Sequence, residues 1–174
     1  MDALMVIDVQ QAMFADPDNL PYEGEAMVAR IRSLIERARA AGKPVFFIQH
    51  DGGPGDTLDR AGPGFAYRPE LAPRAGDPVI VKRYCSGFQE TDLQARLQAA
   101  AVKDLAICGM QTEYCVDTTL RAAFERGYRV TLVADGHSTF DNESLSARDI
   151  IRHHNRTLHG SFATLVQAEA LSFA

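Results

Sequence analysis

The sequence holds only three cysteines in 174 residues: Cys85, Cys108 and Cys115. A count this low and odd excludes a disulfide framework. It leaves at least one thiol free or paired between chains, and it points to a reducing, cytoplasmic setting. Basic charge is also short. Eighteen Lys and Arg stand against 23 Asp and Glu, a net charge of −5, which speaks against nucleic acid or an anionic membrane as the main partner. No apolar run approaches the ~18 residues of a membrane span. The opening Met1-Asp2-Ala3-Leu4-Met5-Val6-Ile7-Asp8 lacks the basic region of a secretory leader. Compositional bias is missing as well: 46% hydrophobic and 24% charged residues are ordinary for a soluble globular chain. The expectation is one domain, residues 1–174, large enough to bury a core.

What is present is an alternation. Short apolar runs at Ala3–Val9, Val45–Ile48, Pro78–Val81, Leu105–Cys108, Arg129–Ala134 and Ala163–Val166 read as strands. Between them, Glu23–Ala41, Thr91–Ala101, Thr112–Arg126 and Ser144–His159 read as helices. In the first, Met27, Ile31, Leu34, Ile35 and Ala38 recur at spacings of three and four. Continuous apolar strands alternating with helices predict an α/β fold: a Rossmann-like three-layer αβα sandwich with a six-stranded, mostly parallel sheet. One segment breaks the rhythm. Gly52–Asp77 carries six Gly and four Pro, and is either a surface excursion or a wall over a pocket.

In an open parallel sheet, ligands bind beyond the carboxyl ends of the strands. The residues there are Asp8 and Gln10, Gln49-His50-Asp51, Lys82, the stretch Gly109–Cys115, and Asp135 with His137. Cys115 falls in the first turn of a predicted helix, where partial positive charge lowers a thiol's pKa and free N–H groups can hold an oxyanion. It reads as a nucleophile or as core filler. Cys108 reads as a buried hydrophobe and Cys85 as a spectator. Asp8 could equally cap a turn, and Lys82 could be solvated.

Asp8-Val9-Gln10 after an apolar strand, Val81-Lys82 on the third, and Gly109-x-x-Thr112-x-x-Cys115-Val116 with Thr118, Ala122 and Gly127 downstream resemble the isochorismatase-like cysteine hydrolases. The similarity runs in order along nearly the whole chain. Its nearest likeness is to small members resembling streptothricin hydrolase. The resemblance implies a catalytic triad of Asp8, Lys82 and Cys115. It also implies a non-proline cis peptide at Met110–Gln111 and an oxyanion hole built from the N–H groups of Gln111 and Cys115. The reaction implied is attack by the Cys115 thiolate, with Asp8 as the proton carrier and a thioester intermediate. The family suggests a homo-oligomer, a dimer or tetramer, acting on a small molecule.

The chemistry makes a demand. With ordinary pKa values of about 3.9 for Asp and 8.5 for Cys, the proton transfer is uphill by roughly 6 kcal/mol. Burial should raise Asp8, while the helix terminus and Lys82 should lower Cys115. The nicotinamidases of this superfamily carry an Asp-x-His metal motif after the second strand. Here that place reads Gln49-His50-Asp51, so no metal and no cofactor is expected. A cysteine nucleophile favours C–N hydrolysis of an amide, carbamoyl compound or lactam. The alternatives are isochorismatase-type ether cleavage, nicotinamide hydrolysis, and an inactive or redox-sensing interaction protein. A dinucleotide-binding domain is disfavoured, because no Gly-x-Gly-x-x-Gly turn follows the first strand. Gln10, Phe14, His50, Tyr84, Phe88 and Tyr114 are candidate pocket residues, with Phe65 and Tyr67 on the long loop as further walls.

Overall fold

The computed structural model describes residues 1–173. Six strands form one sheet: β1 (Ala3–Ile7), β2 (Val45–His50), β3 (Val79–Lys82), β4 (Asp104–Met110), β5 (Arg129–Ser138) and β6 (Thr164–Val166). Their order is β3-β2-β1-β4-β5-β6, and every neighbouring pair is parallel. The helices are α1 (Gly24–Ala40), α2 (Leu93–Ala99), α3 (Asp117–Glu125) and α4 (Ala147–Leu158). This is the doubly wound arrangement, with its reversal of strand order between β1 and β4.

The pleat divides the core. Met5, Ile7, Phe46, Ile48, Leu105 and Ile107 face Leu93 and Leu97 of α2, Leu120 and Ala123 of α3 and Leu158 of α4. Leu4, Val6, Val45, Phe47, Ala106 and Cys108 face the other way, onto Met27, Ile31, Leu34, Ile35 and Ala38 of α1. Among the described residues, α1 is the one α-helix on that second face. Tyr67 and Leu71 from the long loop and Leu171 and Phe173 from the C-terminal tail complete its cover. The Gly52–Asp77 segment is therefore partly core. The Tyr67 hydroxyl donates to the carbonyls of Val6 and Ile48, and Tyr67 bridges to Gln10.

Several boundaries differ from expectation. The helix expected from Thr112 begins only at Asp117, after a π turn over Thr112–Val116. Two further shifts have identifiable reasons. β5 runs on to Ser138, because Asp135-Gly136-His137 stays paired with β4 across a register shift between Ile107 and Gly109. α4 starts three residues late. Asn142 Oδ1 ties the N–H groups of Ser144 and Leu145 into a turn, and Ser146 then caps the helix by accepting from Asp149 N–H. No helix among the described residues is long and apolar enough to cross a membrane.

Candidate active site

Four chain segments deliver one polar cluster. Asp8 is the first residue past β1, while His50 and Lys82 end β2 and β3. His50 pairs with Lys82 in register, and Ile7 pairs with Ile48 on one side and Gly109 on the other. The carboxyl ends of four adjacent strands thus open onto one spot. Asp8 turns there with φ +50°, a left-handed conformation that Asp tolerates better than most residues. The chain leaving β4 winds through a π turn, Thr112–Val116, that carries Cys115. The Met110–Gln111 peptide is cis.

Lys82 is the hub. Its Nζ lies 2.6 Å from Asp8 Oδ2, 3.1 Å from Cys115 Sγ and 3.0 Å from His50 Nδ1. An ammonium has three N–H donors, and here all three have a partner. Asp8 and Lys82 are each 1% exposed, whereas Cys115 and His50 are half-buried. A molecule arriving from solvent therefore meets the thiol and the imidazole first.

Burial dominates the electrostatics. It raises the Asp8 carboxyl above its usual value, against the pull of Lys82. Burial works against the Lys82 ammonium, but Asp8 and Cys115 outweigh it and hold its pKa up. Burial and then Lys82 push His50 down, so the ring is neutral near pH 7 and Nδ1 accepts from the ammonium. Burial and the Asp8 charge raise the Cys115 thiol, with Lys82 opposing. The expected lowering of that thiol is overturned: Cys115 precedes α3 in a separate turn, and desolvation outweighs any helix-end effect.

The turn is held from behind. Tyr114 and Val116 N–H both donate to the Gln111 carbonyl. Thr112 Oγ1 lies 2.8 Å from His137 Nδ1, and His137 Nε2 lies 2.9 Å from Asn155 Oδ1. Because Asn155 Oδ1 only accepts, the His137 proton sits on Nε2, and the Thr112 hydroxyl donates to Nδ1. Thr139 Oγ1 donates to Glu113. This brace joins the turn to β5 and α4. Sequence reasoning placed His137 near the edge but missed Asn155, whose partner is set by packing alone.

Residues 2–167 match the isochorismatase domain. The chain belongs to the isochorismatase family. It is 40% identical to streptothricin hydrolase of Streptomyces noursei over 141 residues, covering 81% of this chain and 51% of that protein. The chain thus spans about half the length of that curated relative. It is 30% identical to the ureidoacrylate amidohydrolase of Stutzerimonas stutzeri, over 76% of this chain and 68% of that one. The solved structure of an isochorismatase from Pseudomonas putida superposes with a TM-score of 0.92 at 31% identity, over 98% of this chain and 90% of that chain.

Within this family framework the candidate pocket residues separate. Gln10 is a clamp, not a wall. It is fully buried, its Nε2 donates to the carbonyls of His50 and Phe65, and its Oε1 accepts from His50 N–H. Phe88 likewise belongs to the core, stacked on Tyr128. Tyr84 is exposed and borders a cavity of about 200 Å³ with Lys82, Gln89 and Glu90. Phe14 lines a separate groove beside Ala12, Gly64 and Arg68. Tyr114 is exposed next to Cys115. Phe65 contributes its carbonyl, which accepts from Gln10 and Gln49 and binds the long loop to the site. Cys108 is wholly buried and Cys85 exposed.

Proposed function

We propose that this protein is a cysteine hydrolase that cleaves the C–N bond of a small amide, carbamoyl compound or lactam through a thioester on Cys115. The observation that carries the reading is the contact set of Lys82, which holds a buried carboxylate at 2.6 Å and a half-buried thiol at 3.1 Å on one ammonium. The similarity to a streptothricin hydrolase and to an ureidoacrylate amidohydrolase supports the choice of bond.

At rest the thiol keeps its proton, since burial raises it. As Sγ bonds to the substrate carbon, the proton passes to Asp8, whose raised pKa makes it a better acceptor than an exposed Asp. The ammonium of Lys82 offsets the charge growing on sulfur and carboxylate. The N–H groups of Gln111 and Cys115 receive the oxyanion. Asp8 then protonates the departing nitrogen, the C–N bond breaks, and the acyl group remains on sulfur. Water, giving its proton to Asp8, attacks the thioester. The acid leaves, and Cys115 regains a proton.

A hydrolysis screen tests this. Small amides, carbamoyl compounds, lactams and nicotinamide are supplied, with ammonia and opened rings as readouts. Turnover of at least one C–N substrate is expected, and its loss in Cys115→Ala. Turnover that survives Cys115→Ala would refute the covalent mechanism.

A further inference from the structure

Lys82 fixes more than Asp8 and Cys115. Its ammonium has only donors, so His50 Nδ1, 3.0 Å away, accepts from it. The neutral ring then carries its single proton on Nε2. That excludes His50 as the base that activates water, because Nε2–H has no lone pair to take a proton. It makes His50 a donor. The backbone is fixed too: Gln10 accepts from His50 N–H and donates to the His50 carbonyl. Ring and backbone are both set before a substrate arrives. The ring is half-buried, and among the described residues no group accepts from its Nε2.

The strand order says what this donor meets. His50 lies two residues past Ile48, and Gln111 two residues past Gly109. Ile7 of β1 pairs with both Ile48 and Gly109. His50 and the turn from Gln111 to Cys115 thus flank the site from opposite sides of β1. A ring nitrogen of His50 lies within 4.8 Å of Cys115 Sγ. A carbonyl carbon poised about 3–3.5 Å from Sγ, with its oxygen turned to the Gln111 and Cys115 N–H groups, extends its acyl substituent toward β2 and the imidazole.

We infer that His50 is a specificity-determining residue, whose Nε2–H donates to a second oxygen on the acyl part of the substrate, borne by the atom next to the scissile carbonyl. Among C–N substrates it favours amides with two adjacent carbonyl groups, keto amides and oxamates, over plain alkyl amides. The inference rests on the reading of Cys115 as the nucleophile of a hydrolase.

Two thiol reagents test it without turnover. Iodoacetamide bonds its methylene carbon to Sγ and expels iodide. Its carbonyl oxygen then stands one atom beyond the carbon on sulfur. Methyl methanethiosulfonate forms a disulfide with Sγ and expels methanesulfinate, leaving no oxygen there. Rates are read on the peptide containing Cys115. The ratio of the iodoacetamide rate to the methanethiosulfonate rate should fall about three- to tenfold in His50→Leu. His50→Gln keeps an N–H donor and should recover most of it. Nitrogen NMR of the wild type should place the His50 proton on Nε2. In the hydrolysis screen, the advantage of pyruvamide over propionamide should be larger in the wild type than in His50→Leu. An unchanged ratio in His50→Leu, an equal fall in His50→Gln, a proton on Nδ1, or an equal pyruvamide advantage would overturn the inference. The two reagents need only an accessible thiol. A screen without turnover thus strikes the hydrolase reading and leaves the ratio to decide on His50, while turnover with an unchanged ratio strikes His50 alone.

Discussion

Asp8 and His50 both touch the Lys82 ammonium, but their chemistry diverges with pH. In the proposed mechanism Asp8 must be ionised to accept the thiol proton, and burial raises its pKa. The acid limb of kcat/KM should therefore lie above the ordinary carboxylate range, with activity falling as pH drops through it. Asp8→Asn should lose about 10²–10⁴-fold in kcat. His50 titrates below its usual value, so His50→Gln should keep the limb. A limb abolished in His50→Gln would assign it to the imidazole instead. His137 offers a second test at this scale. Burial holds its pKa at about 4, against an ordinary 6.5. The neutral ring belongs to the folded state, so its contribution is full above about pH 6.5 and is lost as pH falls toward 4, up to about 3 kcal/mol. Urea midpoints across that range should fall more steeply for the wild type than for His137→Gln, and equal slopes would contradict the assignment. Strand-end position made Asp8, Lys82 and the stretch leading to Cys115 legible as candidates, and the resemblance to the isochorismatase-like hydrolases singled out the three as a triad. The roles of Gln10 and Phe88 were not legible. A side chain past a strand can face solvent or fold back under the loop, and only the Phe65 and His50 carbonyls or the Tyr128 ring decide which.

At the scale of elements, the site depends on how closely β4 passes β1. Gly109 has φ +124°, and a Cβ there would lie 2.1 Å from the Ile7 carbonyl oxygen. Both the dihedral and the space require glycine. Gly109→Ala should destabilise the fold by more than about 3 kcal/mol, read from chemical denaturation, and a near-wild-type midpoint would refute this packing. The long loop carries the same kind of dependence. Tyr67→Phe leaves the Val6 and Ile48 carbonyls without their hydroxyl donor and should cost about 1–3 kcal/mol. The six strands and four helices were readable from apolar runs and from three-and-four spacing. The extension of β5 through Asp135 and His137 was not, because their polar side chains mimic a loop. Asp135 is satisfied inside the fold by Arg30 and by Ala168 N–H.

For the whole molecule, the strand order places Asp8 and Cys115 on either side of the β1–β4 reversal, the crevice where doubly wound sheets bind ligands. The alternation of runs implied the sheet and its layers. It could not show that one face has a single α-helix among the described residues, because the Tyr67 loop and the C-terminal tail that cover it carry no periodic pattern. The central claim is that the crevice works through a covalent Cys115 intermediate. Intact-mass spectrometry of acid-quenched enzyme, taken during turnover of a substrate found in the screen, tests it most directly. The account predicts a mass increase equal to the acyl group, mapped to the peptide containing Cys115 and absent in Cys115→Ser. Steady turnover with no adduct under single-turnover quenching, or an adduct on another residue, would contradict it.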